Sequence, residues 1–118
     1  MAKTTKIDAI ILRGASGTEY AFRVYVWETQ FKSLPAVYAV ASRSIEPGQP
    51  ASYDPVFVGT ADDLSTVSLA DHPRSECFQM YLANVVAVLH EEDAAARDRI
   101  AADLIAALGP PCNSADEE

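Results

Sequence analysis

Three features of this chain predict an α+β domain: one small mixed or antiparallel β-sheet flanked by helices, with an N-terminal β-hairpin extension. Residues 6–13 and 20–27 are apolar segments separated by Gly14-Ala15-Ser16-Gly17, and they read as that hairpin. Asn84 to His90 holds a continuous apolar run, Val85-Val86-Ala87-Val88-Leu89, of the kind a strand buried on both faces carries. Ile100, Leu104, Ile105 and Leu108 form an apolar stripe on a final helix over 93–108, ended by Gly109-Pro110-Pro111. Strands, then helices, then a strand and a helix is an α+β order. With 118 residues, 49% of them apolar, the chain reads as a single domain with enough material for one core.

Taken in order, the first strand runs from Lys6 to Arg13, with Ile7, Ala9 and Ile11 alternating against Asp8. The second, Tyr20 to Trp27, sets Phe22, Val24 and Val26 on one face; its other face, Arg23, Tyr25 and Trp27, is only partly polar. Pro35 opens a third strand, Ala36 to Ser42. Three prolines and a glycine make 46–55 a loop, after which Val56 to Gly59 forms a short fourth strand. Thr60 with Asp62 and Asp63 resembles a helix start, where an oxygen cap and acidic groups suit the helix dipole. That helix is expected to stop near Asp71, because Pro73 disfavours helical geometry at His72. A second helix over 75–82 precedes the strand of valines. The tail, 114–118, is acidic and expected to fray.

Charge is uneven. The chain has a net charge of −8. Residues 1–43 hold six basic groups against three acidic ones, whereas residues 44–118 hold three (Arg74, Arg97, Arg99) against fourteen. Phosphate recognition relies on Lys and Arg, so this balance argues against tight binding to duplex nucleic acid and favours a protein partner. The sequence has no apolar run long enough to span a membrane and no evident export signal, which makes the cytoplasm the expected location. Cys77 and Cys112 have no CxxC partner. A disulfide between them is disfavoured in a reducing compartment, and Cys77 reads as a small buried apolar residue on a helix.

The ordered set Ala36-Val37-Tyr38, Phe57-Val58-Gly59, Asp62-Asp63-Leu64, Asp103-Leu104-Ile105 and Pro111-Cys112-Asn113 resembles the frame of a GIY-YIG nuclease domain. The resemblance covers 35–113, and the preceding hairpin resembles the N-terminal extension of small stand-alone members. It implies a tyrosine from each strand motif, an arginine from the following helix, and a glutamate from the last helix holding magnesium. Tyr38 matches the first tyrosine and Gly59 the motif glycine. Phe57 stands at the second tyrosine, Val67 at the arginine and Ala101 at the glutamate, so three chemical groups are missing. His72 and Asn113 also match family positions; Asn113 reads as a structural anchor through its side chain.

The resemblance therefore implies a vestigial site (Tyr38, Phe57, Gly59, Val67, Ala101) in a binding or regulatory module without cofactor. Such a module would be an acidic competitor for a nucleic-acid-binding protein surface. The alternative is a metal-dependent endonuclease with a rearranged site built from Tyr38, His72, Arg74 and Asp98, with Asp98 approaching magnesium. Losing one charge-stabilising donor or one general base costs ~10²–10⁴ in rate, so three losses favour the module. Phe57, Val67 and Ala101 are then expected to line one shallow depression with Tyr38.

Overall fold

The computed structural model describes residues 6–27 and 29–113, and the expected frayed tail lies outside them. Strands β1 (Lys6–Arg13), β2 (Glu19–Val26), β3 (Ala36–Ser44), β4 (Ser52–Ala61) and β5 (Val85–His90) form one open sheet in the order β1-β2-β5-β3-β4. Every neighbouring pair is antiparallel. The valine-rich β5 takes the central place, and Val85, Val86, Ala87 and Val88 are all buried. A strand shielded on both faces needs no polar alternation, which is why this run is apolar throughout.

The sheet separates two cores. On one face, helix α2 (Ala94–Leu108) brings Ala101 and Leu104 against Phe22, Val24, Val37, Val58 and Ala87. Ile100, Ile105 and Leu108 are half-buried at its margin. The other face holds Tyr38, Val40, Val86 and Val88, covered by Leu64, Leu69, Phe78 and Cys112. Helix α1 (Ser75–Met80) carries Phe78 onto that face.

Four expectations are corrected. β1 turns Ile10 and Leu12 toward the core and leaves Ile11 58% exposed, because Ile10 pairs with the inward Phe22. Both parities of this strand are apolar, so alternation alone did not choose between them. β4 begins at Ser52, eight residues after β3 ends at Ser44, and it includes Pro55. Pro55 is tolerated because β4 is an edge strand and the register shifts opposite it, between Val40 and Ala41. The helix expected over 60–71 shrinks to a single 3₁₀ turn, Leu64–Thr66, capped by Asp63, whose carboxylate accepts from the Ser65 amide. Ser65, Thr66, Val67 and Ser68 are poor helix formers and give it little to propagate. Finally, Cys77 and Cys112 form a disulfide with Cα atoms 5.8 Å apart. Although 35 residues apart in sequence, they lie on elements that cover the same sheet face.

Two side chains fix α2. Arg97, buried on the sheet-facing stripe, donates to the Asp62 carboxylate and to the Glu91 and Glu92 carbonyls. It ties the start of α2 to the ends of β4 and β5. Asp103 grips the hairpin turn, accepting from the Ser16 amide (2.8 Å), the Ser16 hydroxyl (2.7 Å) and the Tyr20 hydroxyl (2.7 Å). A Cβ at Gly14 would lie 2.0 Å from Asp103 Oδ2, so a larger residue there would push the carboxylate out of these hydrogen bonds.

The hydrogen bonds from Ser16 and then Tyr20 hold the Asp103 carboxyl below its ordinary 3.8. A depressed folded pKa contributes stability that is present above the unfolded value and is lost as pH falls through the folded one. Asp103→Asn is therefore expected to melt below the parent at neutral pH, with the difference closing as pH drops from about 7 to about 2. A gap that stays constant across thermal melts in this range would remove Asp103 from the pH dependence.

Beyond α2 the chain passes the outer edge of β4. Asn113 seals that edge: its Oδ1 accepts from the Val58 amide and its Nδ2 donates to the Val58 carbonyl, both at 2.8 Å. The side-chain amide thus acts as one residue of a missing neighbouring strand. No helix among the described residues is long and apolar enough to cross a membrane.

Candidate functional site

β3 and β4 place Tyr38 directly opposite Gly59, with Phe57 two pairs along opposite Val40 and so on the same face. The Tyr38 ring lies over Gly59, where a Cβ would come within 3.0 Å of that ring and 2.7 Å of Phe57. Glycine at this position is thus required by the two rings that share its surface. Phe57 packs beside Tyr38, with centroids 5.9 Å apart, and edge-on to His72 at 5.0 Å. Phe78 from α1 completes the aromatic cluster against Phe57 and His72.

His72 sits in the irregular segment before α1, and its Nε2 lies 2.9 Å from the Tyr38 hydroxyl. The tautomer follows from its other nitrogen. Nδ1 accepts from the Arg74 backbone amide at 3.0 Å, so it carries no proton. Nε2 is then the protonated nitrogen and donates to Tyr38. Burial, and secondarily the Arg74 charge, push the imidazole below its ordinary value, which keeps it neutral at physiological pH. Tyr38 is 5% exposed, and burial pushes its hydroxyl up to about 12. Such a group stays protonated near neutrality and so cannot take a proton from water as a base.

The structure brings Tyr38, Phe57, Gly59, His72 and the Arg74 backbone together. Val67 lines the same pocket as Tyr38. Ala101 does not: it is buried in the core on the α2 face, and the sheet lies between it and Tyr38. The expected common depression is therefore corrected for Ala101, and for Phe57, which packs beside Tyr38 without lining that pocket. Asp98 is exposed on α2 and does not join Tyr38, so the alternative constellation does not assemble as a unit. His90 bonds to the exposed Glu92 at 3.0 Å, away from this cluster.

The residues present do not fit a magnesium ion. The position expected to supply the ligand carries a buried methyl group, and of the carboxylates nearest it along α2, Asp98 is exposed and Asp103 is held by Ser16 and Tyr20. Among the described residues, no three His, Cys, Asp or Glu side chains gather in a way that could hold a metal.

The pocket beside Tyr38 has a volume of about 540 Å³ and uses residues that sequence reasoning did not single out. Trp27, Thr29 and Phe31 come from the end of β2 and the loop after it. The available signal was the apolar character of Tyr25 and Trp27 on the supposedly outer face of β2. Phe31 packs edge-on to Tyr25 at 5.3 Å, which folds this loop back onto the sheet. No protein-family model matches the chain, and no curated protein or solved structure matches it.

Proposed function

We propose that this chain is a non-catalytic binding module on a GIY-YIG-like scaffold, with a protein as its partner. The observation that carries this reading is the state of Tyr38. The retained member of the expected catalytic set has a buried hydroxyl, pushed up to about 12, that receives a hydrogen bond from a neutral histidine. The contacts among Tyr38, Phe57, Gly59 and His72, and the anchoring by Asn113, support the scaffold assignment. The position of Ala101 does not support it.

A protein partner is favoured by the net charge of −8 and by an exposed apolar tip at the end of α1. There Met80 is 73% and Leu82 77% exposed, with Tyr81 between them. Leu82 adopts a φ of 59°, a left-handed conformation usually given to glycine at a helix end. A bulky side chain held outward at a conformational cost of ~1–2 kcal/mol suits a contact residue.

The test is incubation of the purified chain with single- and double-stranded DNA and RNA in magnesium or manganese. All substrates are expected to remain intact, and duplex DNA to bind weakly at physiological salt. The triple variant Phe57→Tyr, Val67→Arg, Ala101→Glu is expected to gain no cleavage. Its third substitution places a carboxylate in the core across the sheet, at a cost of ~2–4 kcal/mol. Robust cleavage by the unmodified protein, abolished by Tyr38→Phe, would overturn the proposal.

A further inference from the structure

We infer that the pocket beside Tyr38 is a binding site for a small, uncharged, planar aromatic molecule of one or two rings. The inference goes beyond the module reading and does not depend on the nuclease resemblance, since it rests on the cavity's volume and lining. Its volume of about 540 Å³ falls in the range of small-molecule sites. Trp27, Phe31 and Tyr38 supply aromatic walls, and Leu64, Val67 and Leu69 supply aliphatic ones. Aromatic walls favour aromatic guests through offset and edge-on ring contacts. None of the described lining residues carries a formal charge, so an ionic guest would lose its hydration without a counter-ion.

A second observation independently points to a polar contact. Thr29 lines the pocket, yet its Oγ1 is shielded from solvent and has no hydrogen-bond partner among the described residues. Buried hydroxyls in folded proteins are nearly always satisfied, and an orphan marks a place where a partner belongs. Thr29 is half-buried as a residue. Rotation about χ1 offers the hydroxyl two further staggered positions in which to meet a guest. The Tyr38 hydroxyl already accepts from His72. An aromatic ring bearing one amide or N–H edge matches this arrangement: faces for the rings, an edge for Thr29.

The experiment is a titration of the ¹⁵N-labelled full chain with benzamide, indole, toluene and benzoate, following backbone amide shifts. Benzamide and indole are expected to move the amides of Thr29–Phe31 and Leu64–Ala70 saturably, with Kd of order ~1 mM for fragments of this size. Benzoate, which matches benzamide in shape but carries a charge, is expected to bind at least ~10-fold more weakly. Thr29→Val keeps the side-chain volume and removes the orphan hydroxyl. It is expected to weaken benzamide ~3–10-fold while leaving toluene unchanged. Val67→Arg, which fills the cavity and charges it, is expected to abolish binding of all three neutral probes. Saturable shifts that are absent, that map away from these residues, or that are equal for benzamide and benzoate would overturn the inference. Equal benzamide binding by Thr29→Val would do so as well, whether or not Val67→Arg folds.

Discussion

Reduction of the Cys77–Cys112 disulfide is expected to lower the melting temperature by ~10–15 °C. The two cysteines are 35 residues apart, and opening a loop of that size returns ~3–4 kcal/mol of chain entropy to the unfolded state. Spread over the unfolding entropy of a chain this long, that energy gives the stated shift. The bond also has a local task. It clamps the turn at Pro111–Asn113 to α1, and with it the Asn113 side chain on Val58. Thermal melts with and without reductant read the effect, and Cys77→Ser should melt like the reduced parent and ignore reductant. Two reactive thiols in the untreated native protein, together with a melt indifferent to reductant, would show that the bond is not part of the stable fold.

Leu104→Ala is the second large effect, an expected loss of ~2–5 kcal/mol. Leu104 is 0% exposed and sits in the core that α2 shares with Val37, Val58 and Ala87 from three strands. Its neighbours belong to rigid sheet positions and cannot collapse inward to fill the space, which places the cost in the upper part of that range. Ile100→Ala and Leu108→Ala, at the half-buried margin of the same helix, should cost less. Chemical denaturation of the three variants checks the ranking. A Leu104→Ala loss below ~1 kcal/mol would mean that α2 does not hold the sheet face described.

Local pattern explains which parts of the fold were legible. The hairpin, the central run of valines and the α2 stripe each carry their signal within a few consecutive residues. The face of β1 was not legible, because Ile7 and Ile11 compete with Ile10 and Leu12, and only the pairing with β2 decides. Pro55 disguised the first half of β4, since a proline reads as a loop until the strand is known to be an edge. Acidic residues after Thr60 gave a helix start with no helix behind it. In the site, Tyr38, Phe57, Gly59 and His72 were legible through order and spacing. Ala101 was not: a helical stripe states which residues share a side of the helix, and is silent on which side of the sheet the helix covers. The Cys77–Cys112 bond was missed because compartment was inferred first and proximity had no local signal.

The asymmetry of the two sheet edges has a consequence for self-association. Strand-to-strand growth needs an open row of backbone donors and acceptors. At Val58, β4 has surrendered both of its groups to Asn113, while β1 ends the sheet on the other side with no described strand beyond it. Two copies that joined through β1 about a two-fold axis would present to the outside β4 edges that are capped at Val58. Recruitment of a third copy through β4 would first have to displace the Asn113 side chain from Val58.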